Sequence, residues 1–261
     1  ARAFAADTAG LESDPSSGEA FDRLRAIRQG RGEWPELAAL LERRTKLEQD
    51  PELHFALAEV LRDHLGDRGQ AKAQLRAGLH HAPQHARAVA ALAVLHYEDA
   101  EWVEAADALI RRLRLERDRE VLKDILFKLG LIYAEQLPDT KRAVAAFARV
   151  LQIDPDDREA LARLADIHFE EWNWKEAYAV TARLAELEPV TEKKVGHLLR
   201  LARIQEEGFK DQHRATAAYR RALDVAPHSL AAIGEFARFY ERQSDTRSVH
   251  VHLDTSITRF R

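Results

Sequence analysis

Apolar residues recur along this chain every three or four positions, in blocks separated by polar or Pro-containing breaks. Leu126, Leu129 and Tyr133 show the spacing, which puts all three on one face of an α-helix. No stretch alternates apolar and polar residues in the manner of a half-buried strand, so the pattern predicts an all-α chain. The breaks carry their own signal. Pro disfavours the helical region for the residue before it, so Asp154-Pro155 predicts a helix end. Asp50-Pro51 and Asp14-Pro15 are read as the same device.

The blocks repeat. Residues 66–71, 138–143 and 210–215 align, and Asp67, Asp139 and Asp211 follow one another at 72 residues (139 − 67, 211 − 139). Pro83, Pro155 and Pro227 keep that step, as do Leu57, Leu129 and Leu201. Three independent markers in one register identify an internal repeat, the mark of a stacked array. Each unit divides in two, and its second half carries a tryptophan: Trp34, Trp102 or Trp174. Trp102 and Trp174 keep the same step, whereas the first connector is shorter. The elementary repeat is therefore half of the larger one, close to roughly 34 residues.

That length and these residues resemble the tetratricopeptide (TPR) family, whose pattern is W-x2-L-G-x2-Y, then A-x3-F, then P. Leu126, Leu129, Gly130 and Tyr133 match the first helix, Ala143 and Phe147 the second, and Pro155 closes the unit. The next units read Leu161, Leu164, Ala165, His168, Ala177, Thr181, Pro189 and Leu198, Leu201, Ala202, Gln205, Ala215, Tyr219, Pro227. The resemblance covers nearly the whole chain. It implies an all-α, right-handed α-solenoid over 1–261, about seven hairpins with the terminal ones incomplete. In such a fold small residues such as Gly130, Ala165 and Ala143 let paired helices approach. Large ones such as Phe147, Tyr219 and Leu75 fill the gap to the next hairpin. Segment 1–13, with Ala3 placed before Pro15 as Ala71 is before Pro83, reads as a second helix lacking its partner. Segment 246–260, with Leu253, Ile257 and Phe260, reads as a further helix without a polar cap, so the chain is expected to be a segment of a longer array.

Composition narrows the function. A net charge of −4 offers no excess that would favour nucleic acid or an anionic membrane. No apolar run approaches the roughly 18 residues a membrane span needs, and no secretory signal is visible. Cys is absent, which excludes thiolate zinc sites and Cys nucleophiles. Met is absent even at position 1, as expected of an excised piece. The Ala- and Arg-rich character, with Glu33-Trp34-Pro35-Glu36-Leu37, resembles long bacterial TPR arrays, and the cytoplasm is the expected compartment, with the periplasm as the alternative.

The resemblance also implies a concave groove lined by first helices. Its positions project onto Phe55, Glu59, Arg62, Arg87, Tyr97, Phe127, Leu131, Asp166, Phe169, Leu199, Arg203 and Arg238. Aromatic residues there would hold an extended peptide or a helix by apolar burial. The family's carboxylate-gripping pocket uses an Asn, and this chain has Glu59, Val94, Leu131, Asp166, Arg203 and Arg238 at that place. His80, His81 and His85 surround Pro83 and cannot share a helical face, while His250 and His252 point to different sides, so no metal site is expected. The basic run 111–119 is interleaved with Glu116 and Asp118 and reads as a solvated face. The periodic Trp residues read as packing; Trp172 stands outside that register and is the indole to watch. With no nucleophile elbow, phosphate loop or paired-carboxylate constellation, the expected function is a protein-binding scaffold, not an enzyme, with no cofactor. A regulatory arm of a larger enzyme and a self-associating structural array are the alternatives; the oligomeric state is not legible.

Overall fold

The computed structural model describes residues 17–243. The segments 1–13 and 246–260, the Asp14-Pro15 break, and His250 and His252 lie outside them. The described residues form two compact units that divide at Ile125 and Leu126. The first holds α1 (Gly18–Arg31), α2 (Trp34–Thr45), α3 (Pro51–Asp63), α4 (Arg68–His81), α5 (Ala86–Glu98) and α6 (Trp102–Leu115). The division falls within α7 (Arg119–Leu131). The second continues through α8 (Thr140–Ile153), α9 (Arg158–Glu170), α10 (Trp174–Leu187), α11 (Thr191–Arg203), α12 (Gln212–Val225) and α13 (Leu230–Arg242). Consecutive helices pair as hairpins, α3 with α4, α5 with α6, α9 with α10 and α11 with α12. Each unit is a stretch of all-helical α-solenoid, with no strand among the described residues. None of the described helices is long and apolar enough to cross a membrane.

The 72-residue period has a structural cause: two kinds of hairpin turn alternate. The turns after α1, α5 and α9 are tight. Glu33, Glu101 and Asn173 donate their backbone N–H groups to the carbonyls of Arg28, His96 and His168, and Gly32, Ala100 and Trp172 take the left-handed conformation at φ 70°, 56° and 60°. The turns after α3, α7 and α11 are wider. Leu65, Leu137 and Phe209 reach back five residues to the carbonyls of Val60, Ile132 and Ile204, and Asp67, Asp139 and Asp211 reach back six, to those of Leu61, Tyr133 and Gln205. In the last two copies this becomes a full π-helical turn, Ile132–Gln136 and Ile204–Gly208. Asp67, Asp139 and Asp211 follow, and their carboxylates accept from the N–H groups of Gln70, Arg142 and Arg214 at 2.9, 3.0 and 2.9 Å. The repeated aspartates are thus N-caps, each satisfying a donor the helix cannot satisfy itself.

Between hairpins the same logic gives His85, Asp157 and Ser229 as caps of α5, α9 and α13. Asp50-Pro51 departs from the expectation of a helix end. Asp50 caps α3 and Pro51 opens it, because the first helical position needs no N–H donor and suits the fixed φ of Pro. Asp154 does end α8.

The core follows the repeat. Ala71, Ala143 and Ala215 are wholly buried, as are Ala105 and Ala177. In the first unit Leu24, Leu41, Leu57, Leu75 and Leu95 fill the interior. In the second, Tyr219 packs on Phe236 and Phe239 of α13, as expected of a residue that fills the gap to the next hairpin. Its hydroxyl donates to Glu206, which also takes two hydrogen bonds of 2.8 Å from Arg242. Burial and the adjacent Glu206 carboxylate push the Tyr219 phenol well above its ordinary pKa. Phe147 is wholly buried. Its ring lies over Gly130, on the first helix of its own hairpin, and meets Phe127 edge to face at 5.5 Å.

Candidate functional site

In the first unit, α1, α3 and α5 present their outer faces side by side and enclose a concavity of about 250 Å³. Phe55, Glu59, Arg62 and Arg87, four of the projected groove positions, line it, joined by Arg25 and His85. Phe55 is only 6% exposed, and its ring lies where a side chain at Gly78 would stand and stacks on His85 at 4.2 Å. His85 is held in turn: Nδ1 accepts from the Ala88 N–H at 3.1 Å, and Nε2 lies 3.3 Å from Glu52. Phe55 and His85 therefore make a packed aromatic floor. Above it Arg87 and Glu59 pair at 2.9 Å, both exposed, and Arg62 is drawn to its neighbour Asp63, whose carboxyl is held below its ordinary pKa by the Arg62 hydrogen bond. Arg25 makes no ion pair among the described residues. A half-buried guanidinium beside an aromatic floor can hold a carboxylate or a backbone carbonyl of an incoming chain.

Acid–arginine pairs also join successive first helices in the second unit. Glu135 meets Arg163 at 2.8 Å, Asp166 meets Arg200 at 2.5 Å, and Glu206 meets Arg242. The remaining projected residues sort by what they touch. Tyr97 meets Trp102 edge to face, Phe169 meets Trp174 in the same geometry, and Arg200 stands 5.4 Å over the Phe169 ring. Phe127 packs on Phe147, Leu131 is half-buried, and Leu199 is 8% exposed. Arg203 and Arg238 are exposed and lie near Glu207 and Glu235. Several of these side chains therefore already have partners within the chain. The residues not named from sequence, Arg25, Arg163 and Arg200, lie on the same first helices; partners across hairpins single out Arg163 and Arg200, and the lining of the concavity singles out Arg25.

The histidines and the basic run also take definite places. His80 and His81 are exposed. His96 is 2% exposed, bonded to Glu101 through Nδ1 and 3.3 Å from Arg76 through Nε2. Lys72 joins this cluster. Burial opposes its charge, but hydrogen bonds to Asp99 and Glu101 leave its pKa above the ordinary value. In the basic run Glu116 accepts from the backbone of Arg117 and Asp118, and Asp118 caps α7. No group of three or more His, Asp or Glu among the described residues is placed to hold a metal ion.

The class defined by this geometry is the helical-hairpin solenoid. The sequence comparison makes it particular: residues 136–202 match the family model described as tetratricopeptide repeat. The match covers that stretch alone; the helices on either side keep the same 72-residue register. A search of curated protein sequences finds no match. Among solved structures the chain is similar to YrrB, described as a TPR protein with an unusual peptide-binding site: 18% identity over 71% of this chain and 91% of that one, TM-score 0.49. It is similar to PilF of Pseudomonas aeruginosa, with 20% identity over 86% and 96% of the two chains and a TM-score of 0.42. MamA of Desulfovibrio magneticus shows 20% identity over 66% and 93%, at 0.47. At these identities and scores none of the three transfers a function.

Proposed function

We propose that this chain is a non-catalytic scaffold that binds a protein or peptide, not nucleic acid, through the first-helix face of its repeats. The carrying observation is the concavity of α1, α3 and α5, where a packed Phe55–His85 floor lies beside Arg25, which makes no ion pair among the described residues. A packed aromatic anchor with a few convergent polar groups is the usual anatomy of a binding site. Tetratricopeptide repeats are commonly interaction modules, which supports the same reading. We extend it to 1–261 as one array because the 72-residue register runs through both units.

The test uses half-buried side chains at the rim of the concavity, since Phe127 and Phe169 help to pack their hairpins. Affinity capture from source-cell lysate is run with the parent and with an Arg25→Ala/Arg62→Ala variant. A partner retained by the parent and held roughly tenfold more weakly by a variant of unchanged helicity is the expected outcome. Equal capture by both overturns the assignment of the site to this concavity.

A further inference from the structure

The tight turns after α1, α5 and α9 each require one left-handed residue, and the chain supplies Gly32, Ala100 and Trp172 there. Glycine is at ease in that conformation, whereas a bulky side chain is an outlier. Trp172 is disfavoured a second time, because its indole is 74% exposed. Neither its backbone nor its side chain serves the turn better than the Gly and Ala at equivalent places. Its explanation therefore lies outside the fold's own stability.

The surroundings describe what would meet it. The Trp172 ring lies 5.7 Å from Trp174, which packs edge to face on Phe169 and fills the space beside Gly208. One helical turn along α10, Tyr178 contacts Phe209 at 6.1 Å, and these two rings are 37% and 44% exposed. The result is two partly exposed aromatic clusters one helical turn apart along α10. Glu170, Glu171 and Glu176 are exposed beside Trp172, and the first two make no ion pair among the described residues. Within four residues of Trp172 the only cation is Lys175, against the three carboxylates of Glu170, Glu171 and Glu176, which leaves carboxylates in the majority at the Trp172 end. Indole faces attract guanidinium and ammonium groups, and adjoining carboxylates reinforce that attraction. The same carboxylates repel phosphate, which disfavours a nucleic acid despite the stacking surface.

We propose that this surface captures a protein segment presenting arginine or lysine beside an apolar side chain. The site is distinct from the concavity of the first unit and stands or falls separately. Fluorescence anisotropy with the full chain tests it, using a labelled peptide of alternating arginine and leucine, its glutamine–leucine counterpart and a labelled single-stranded oligonucleotide. The arginine peptide binds roughly tenfold more tightly than its glutamine counterpart. Trp172→Gly and the pair Glu170→Gln/Glu171→Gln each weaken it about fivefold or more. The thermal midpoint of Trp172→Gly stays level or rises by about 2 °C, since strain is relieved. Unchanged peptide binding in Trp172→Gly overturns the proposal. So does a midpoint that falls by several degrees, which would make the indole structural, or preferential capture of the oligonucleotide.

Discussion

Gly130 owes its place to one neighbour. A Cβ added there would stand 2.6 Å from the Phe147 ring, which is itself wholly buried and pressed on Phe127. Alanine is the better helix former by about 1 kcal/mol, but overpacking a filled interior costs roughly 1–3 kcal/mol. Gly130→Ala is therefore expected to lower stability by about 1 kcal/mol net, read as a shift of the urea midpoint, and an unchanged or raised midpoint would show that the ring can step aside. The motif made Gly130 legible as a small residue, yet it did not say which ring would use the space. Phe55 was harder still. Its projected place is the groove, and only Gly78, on the other helix of the hairpin, reveals that the ring is also a packing element. No local pattern connects two such positions.

Helices here are set by their ends as much as by their faces. The repeating aspartates stood out in the sequence through their period, and the structure gives the reason in the bonds from Asp67, Asp139 and Asp211 to the N–H groups of the helices they start. Removing one, as in Asp139→Ala, is expected to cost about 1 kcal/mol, whereas Asp139→Asn keeps most of it. Hydrogen exchange at the first turn of α8 should report the loss locally, and equal protection in both variants would argue against the cap. Alternation of tight and wide turns was not legible, because it is written in backbone bonds: both kinds return one over five residues, and the wide ones add one over six, from Asp67, Asp139 and Asp211, closing behind Leu65, Leu137 and Phe209. The side chains at those places, Leu, Leu and Phe, announce nothing unusual.

Across the chain, acid acts on the two units in different windows. In the second, burial holds His168 and His197 below the ordinary value of 6.5, with neighbouring Glu176 and Glu188 opposing only in part. The unfolded chain then binds protons before the folded one does, so stability is full above pH 6.5 and declines as pH falls below it. In the first unit the depressed groups are carboxylates. Hydrogen bonds from Lys72 hold Asp99 and Glu101 below 3.8 and 4.5, and their contribution is lost only as pH falls through those lower values. Hydrogen exchange at pH 7.5, 6 and 5, corrected for intrinsic rates, should therefore show protection fading first in α9 to α12. Uniform fading in both units would refute the assignment. The alternating turns carry one further implication, for how such a chain can grow or be rebuilt. Its exchangeable cassette is two hairpins, not one. A splice from Gly66 to Asp139 rejoins a wide turn to the cap that belongs to it, whereas excising a single hairpin brings like turns together and breaks the alternation. Lengthening by duplication is easiest in double steps, and the step is already printed in the sequence as 72 residues.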